Sequence, residues 1–231
     1  MTNDLVAYEF GDRVARITMD DGRVNVFSVP MLRSLHAAFD RAEDDGALVV
    51  LAGRPDRFSA GFDLGAFSRG GDEITEMLVL GATLAERVLS FPTPVVAVCT
   101  GHAYPAGAFL LLAADVRLGV GGPYLIGLNE VRIGLTVPWF AIELARHRLS
   151  PAAFDRAVVT GTMCTPHEAL AAGFLDAVVD DADLPAATEE AVSTLSELDP
   201  VAHAATKLRV RGQVIEAVHR AIEAELRPSG G

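Results

Sequence analysis

RFSAGFDLGAF, residues 57–67, sets the small residues Ser59, Ala60 and Gly61 between two phenylalanines and runs directly into Asp63. Small residues in an apolar run leave main-chain groups open to close approach, so the backbone itself is the candidate functional group here. The flanks fix its context. Upstream, ALVVLAG (47–53) is a short apolar run closed by Gly and Pro, the pattern of a strand buried on both faces. Downstream, a stretch over roughly 73–90 carries apolar residues at helical spacing.

The same unit recurs. TPVVAVCTG (93–101) reads as another buried strand, followed by the small-residue loop GHAYPAGA and the apolar helix FLLLAAD. VRLGV and YLIGL read as two further strands. RVARITMDDG, near the start, reads as a strand ended by a turn, and a helix follows from Pro30, a residue suited to a first helical position. Alternating short strands and helices predict an α/β chain with mostly parallel strands. After about residue 138 the pattern turns helical, interrupted by the strand-like FLDAVV, and ends in a long helix over 201–226 carrying Lys207, Arg209 and Arg211. That helix cannot bury its apolar face alone and should pack on the core or on a neighbouring subunit.

Bulk properties narrow the classes. With 231 residues, half of them hydrophobic, the chain can bury a large core. A net charge of −12 argues against general nucleic-acid binding and against docking on anionic membranes. Two cysteines, Cys99 and Cys164, lie far apart in apolar stretches, with neither metal-site spacing nor a disulfide framework. The acidic N-terminal segment lacks signal-peptide character, and a cytoplasmic location is expected.

Each small-residue loop joins a buried strand to a helix, where N–H groups are unsatisfied and the helix dipole is positive. Two such groups converging on one oxygen make an oxyanion hole, although either loop alone reads equally as an ordinary tight turn. IGLNEVRIGLTVP (126–138) then places Glu130 among Leu128, Val131 and Ile133. Turned inward, its carboxyl would be a base near neutral pH; turned outward, it would be a capping residue or an ion pair with Arg132.

Taken in order, FSAGFDL, GHAYPAGAFLLLAADVRLG, IGLNEVRIGLTVP and GTMCTPHEALAAGFLDAVV resemble the crotonase superfamily, the enoyl-CoA hydratase/isomerase family, over about residues 5–210. The resemblance implies a spiral of ββα repeats over 1–185 and a helical region, 186–231, for oligomerisation and closure over CoA. It implies a homotrimer or hexamer, an acyl-CoA substrate, and no cofactor or metal beyond the CoA that the substrate carries. Carried over, the oxyanion donors are the N–H groups of Ala60 and of Ala106 or its neighbour Gly107, because Pro105 has none. Phe58, Ser59 and Gly61 belong to the first loop at the substrate, and Asp63 is expected chiefly to tie that loop down.

The departure is Phe109, where hydratases of the family carry a second glutamate. One carboxylate suits a Δ3-Δ2-enoyl-CoA isomerisation, with Glu130 removing and returning a proton in a dry site. Enoyl-CoA hydration is the alternative, and a non-catalytic acyl-CoA-binding protein is the alternative from another class. No Ser-His-Asp arrangement supports a hydrolase, and His102 reads as loop packing. Arg54, Arg57 and Lys207 are candidates for the CoA phosphates. Ile74, Met77, Leu78, Leu84, Phe109, Trp139 and Phe140 are candidates for the acyl wall.

Overall fold

The computed structural model describes residues 5–226, with the backbone alone for 67–69. The outer bounds of the two expected regions, 1–185 and 186–231, therefore lie partly outside the described residues. The chain opens with an antiparallel hairpin, β1 (Val6–Gly11) and β2 (Val14–Met19). A two-residue strand, β3 (Val26–Phe27), leads into helix α1 (Val29–Asp44), which Ser28 caps through the Met31 N–H. Then come β4 (Leu48–Ala52), β5 (Asp56–Ser59), β6 (Gly61–Phe62), α2 (Leu64–Arg69) and α3 (Asp72–Ser90). The second pass repeats the theme with β7 (Val95–Cys99), β8 (Gly101–Ala103), α4 (Ala106–Ala113) and β9 (Val116–Val120).

The main sheet has six strands in the order β1-β2-β4-β7-β9-β10, where β10 is Ala177–Val179. Apart from the first pair, the strands run parallel: Val14 faces Leu48, Val49 faces Val95, Val96 faces Val116, and Ala177 faces Leu118. Alternation along each strand feeds two cores. Ile17, Val49, Leu51, Ala97 and Cys99 join the large core with α1, α3 and α4, while Val50, Val96, Val98 and Leu118 join a smaller one. The smaller core is covered by Leu184 and Val192 of α8 (Leu184–Ser196). Burial on both faces explains why these strands read as unbroken apolar runs. Every residue of α4 is buried, as an all-apolar helix requires.

The helical region comprises α5 (Trp139–Arg148), α6 (Pro151–Val159), α7 (Pro166–Ala172), α8 and α9 (Pro200–Leu226). Helix α9 packs along α3 and α5 and adds Val218 and Ile222 to the large core. It is fixed to the sheet by charge. Asp115, at the junction of α4 and β9, accepts from Lys207 Nζ at 2.6 Å, pairs with Arg211 at 2.8 Å, and accepts the Val95 N–H at 2.8 Å. No described helix is long and apolar enough to cross a membrane.

One expected strand does not form. YLIGL, 124–128, pairs only through isolated bridges from Ile126 to Ala103 and Cys164. Gly127 at φ +155° turns the chain there, so an apolar run that looks like a strand is instead a bend.

Candidate active site

The two small-residue loops are held together by main-chain contact. Strands β5 and β8 pair in parallel beside the main sheet, so the loops follow this small pair rather than the ends of β4 and β7 directly. The Tyr104 N–H donates to the Ser59 carbonyl at 3.0 Å. A Cβ at Gly61, whose φ is +86°, would stand 2.5 Å from Pro105 Cδ, and one at Gly107 would stand 2.9 Å from the Ser59 carbonyl oxygen. Neither glycine tolerates a side chain without parting the loops.

The donors differ in part from the sequence expectation. The Ala60 N–H donates to the Val24 carbonyl at 3.0 Å and is therefore not available to a ligand, which corrects its assignment as the first oxyanion donor. Gly61 donates to Ser59 Oγ at 3.1 Å and Asp63 to the Phe27 carbonyl at 3.4 Å. Successive N–H groups in extended chain point to opposite sides, so the direction of the Asp63 donor turns the Phe62 N–H away from β3. Across the gap, α4 makes its first helical bond from the Phe109 N–H to the Pro105 carbonyl at 3.2 Å. The N–H groups of Ala106, Gly107 and Ala108 thus precede the helical ladder, at the positive end of its dipole.

Glu130 opens a 3-10 turn, Glu130–Ile133, and is 4% exposed. It forms no ion pair with Arg132, and neither carboxylate oxygen has a hydrogen-bond partner among the described residues. Burial pushes its carboxyl up to about 7, against a smaller opposing influence of its own backbone N–H. It faces a cavity of about 250 Å³ lined by Ala60, Phe62, Leu78, Tyr104, Phe109 and, at the rim, Leu135. Phe109 is packed edge-on against Phe140 and Phe62, with ring centroids 5.2 Å and 6.4 Å away. The result is an ionisable base in an apolar chamber beside two sets of main-chain donors. Among the described residues, no cluster of His, Cys, Asp or Glu is arranged to hold a metal ion.

The other expected residues divide. Phe58 and Ser59 are fully buried and serve the loop's framework, Ser59 Oγ donating to the Asn25 carbonyl at 2.6 Å. Asp63 caps α2 by accepting the Gly65 N–H at 2.9 Å. Arg54 bonds the Arg23 carbonyl and lies 3.2 Å from Asp20, and Arg57 donates to the Asp56 carbonyl at 2.8 Å. His102 accepts the Leu125 N–H at Nδ1, 3.0 Å away, and packs edge-on to Tyr104 and Tyr124.

Two further assignments are corrected. Lys207 is buried, and its ammonium is held by Asp115 and the Thr93 carbonyl, so it is not free for CoA phosphates. It also lies 18 positions from Glu225, about 27 Å along α9 from the end that reaches the cavity. Trp139 is 62% exposed and does not line the cavity; Pro138 does. Of the expected acyl wall on α3, Leu78 lines the cavity, whereas Met77 and Leu84 lie in the core.

Sequence reasoning missed the contributions of Asn129, Thr136, Glu225 and Leu226 to the lining. It also missed Asn25, a buried asparagine between two valines whose bonds reach the first loop. For Asn25 the signal was present, since a lone amide inside an apolar stretch must find partners. For Glu225 there was none, because its proximity to Trp139, whose N–H it accepts at 2.9 Å, spans 86 positions.

This fold has close counterparts. Residues 9–228 match the family model described as enoyl-CoA hydratase/isomerase. The crystal structure of an enoyl-CoA hydratase/isomerase family protein from Pseudomonas syringae is 43% identical, with a TM-score of 0.94 and 97% of each chain covered. An enoyl-CoA hydratase from Mycobacterium ulcerans is 39% identical, with a TM-score of 0.92, 95% of this chain and 97% of that one covered. An enoyl-CoA isomerase from Mycobacterium tuberculosis, solved in its apo form, is 38% identical, with a TM-score of 0.92, 99% of this chain and 100% of that one covered. A family match over nearly the whole chain, joined to a crotonase-type fold with paired donor loops and a buried acid, makes this chain a member of the enoyl-CoA hydratase/isomerase family, enzymes acting on acyl-CoA.

Proposed function

We propose that the chain is a Δ3-Δ2-enoyl-CoA isomerase with Glu130 as its single acid–base group. The observation that carries this reading is a buried, unpartnered carboxylate facing a cavity whose other wall is Phe109. In the 3-enoyl thioester, Glu130 takes a proton from C2, and the C2–H electron pair moves into the thioester to give a dienolate. The negative oxygen is met by the Phe62 N–H from the first loop and by the Ala106 or Gly107 N–H from the second. Each such donor is worth about 3–4 kcal/mol in a transition state. Glu130 returns the same proton to C4 as the double bond moves from C3–C4 to C2–C3, so no atom is gained or lost.

Hydration would need a positioned water and a second proton carrier. Phe109 offers neither, and its ring excludes solvent from the base. The similarity to the Mycobacterium ulcerans hydratase, 39% identical, keeps hydration as the second reading. One assay separates them: 3-hexenoyl-CoA should isomerise far faster than crotonyl-CoA is hydrated, and the reverse order would overturn the isomerase assignment.

For the CoA phosphates, Arg57 and Arg54 on the approach to the first loop remain our candidates, tested by the salt dependence of CoA affinity in the double alanine variant. We further propose a homotrimeric assembly, which would cover the exposed Val201, Leu208 and Val210 of α9. Sedimentation at micromolar concentration tests it, a monomer being the contrary result.

A further inference from the structure

Asn25 precedes β3 and is fully buried with φ +55°, a left-handed backbone that asparagine tolerates better than most side chains. Its Nδ2 donates to the carbonyls of Met19, Arg57 and Phe58 at 2.9, 3.2 and 3.2 Å. Its main-chain carbonyl accepts Ser59 Oγ–H at 2.6 Å, and that same Oγ accepts the Gly61 N–H at 3.1 Å. The neighbouring Val24 carbonyl takes the Ala60 N–H. The residues that lead into the first donor loop, from Arg57 to Gly61, are thus fastened to one turn, and Asn25 supplies most of the fastening.

The turn is itself preorganised. The Asp21 carboxylate accepts N–H groups from Arg23, Asn25 and Val26 at 2.7, 2.9 and 3.0 Å. Burial alone would raise that carboxyl, but the three N–H bonds, with Arg54 nearby, hold it below the usual range. The Asp21 N–H in turn donates to Asn25 Oδ1 at 3.0 Å, so the amide is fixed at both ends.

We infer that Asn25 is a positioning residue of the enzyme: its amide, on the Arg57 and Phe58 carbonyls, and its main-chain carbonyl, on Ser59 Oγ, set the direction of the Phe62 N–H, and so the strength of the oxyanion hole. It touches neither substrate nor the reacting atoms. This inference rests on the functional reading of the first loop given above and extends it to a residue outside the site. Removing the amide would leave the fold's sheet intact while letting the donor drift, which weakens transition-state stabilisation more than binding.

The test uses a saturated acyl-CoA carrying 13C at the thioester carbonyl, read by difference infrared spectroscopy, together with isomerase kinetics. Bound to the wild-type protein, the carbonyl band should move to lower frequency than in free acyl-CoA. In Asn25→Gly, which keeps the left-handed backbone, that displacement should shrink, with kcat down about 10–100-fold and KM changed less than about threefold. Ser59→Ala, which cuts the bond to the Asn25 main-chain carbonyl and leaves the amide bonds in place, should show the same pattern at about tenfold and carries the test if Asn25→Gly does not fold. An unchanged band and kcat in a folded variant would overturn the role of Asn25 and leave the site reading standing. No band displacement in the wild type would sink the oxyanion reading, and the inference with it.

Discussion

Asp115 and Glu130 are both carboxylates withdrawn from water, at 10% side-chain and 4% residue exposure respectively, yet their surroundings are opposite. Asp115 is met by the Lys207 ammonium, the Arg211 guanidinium and the Val95 N–H. Glu130 has no hydrogen-bond or ionic partner among the described residues, and its proton affinity rises accordingly. A buried ion with every lone pair engaged is an anchor, here holding α9 to the sheet. A buried ion with none engaged is unstable in its charged form, which is the property a proton carrier needs near neutral pH. Burial is common to both, and partners decide the role.

Substitutions can break this comparison from either side. The largest expected effect is on rate. Glu130→Gln should lower isomerase kcat by about 10²–10⁴-fold, measured on 3-hexenoyl-CoA, because the variant has no proton to exchange. Next, Asp115→Asn should lower unfolding free energy by about 3–5 kcal/mol, measured in urea, since it leaves Lys207 and Arg211 as uncompensated buried charges.

The same Glu130→Gln should have the opposite sign for stability. Folded Glu130 keeps its proton up to about 7, against 4.5 for a free glutamate side chain. The folded state therefore loses stability as pH rises between those values, and glutamine does not. Above pH 7 the variant should be about 1–3 kcal/mol more stable than wild type, with the gap closing toward pH 4.5. An equal stability at pH 8 would mean that Glu130 is better solvated than its burial implies. The smallest effect is graded: kcat/KM for isomerisation should fall about tenfold per pH unit below about 7 and level off above it, as an ionised base requires.

Much of the fold was legible because both faces of the sheet are covered. ALVVLAG and TPVVAVCTG became β4 and β7, and the expected helix over 73–90 is α3. The failures share a cause. Lys207 was readable as a cation, but its partner Asp115 lies 92 positions away, and only the packing of α9 across the sheet brings them together. Ala60 was readable as a loop amide, but the direction of an N–H depends on the dihedrals around Gly61, whose positive φ alters the run of the donors. YLIGL had strand composition, and the turn at Gly127 denied it a partner along its length. Residue type and spacing specify which groups are near a strand end; the handedness of one glycine specifies where they point.

The central claim is that Glu130 exchanges a proton at the carbon beside the thioester. Incubating wild type and Glu130→Gln with a saturated acyl-CoA in deuterium oxide, and following C2 deuteration by mass spectrometry, tests it with no assumption about the double bond. Deuterium entering with wild type and failing to enter with the variant is the result expected here. Equal incorporation by both, or none by a wild-type protein that binds the thioester, would contradict it.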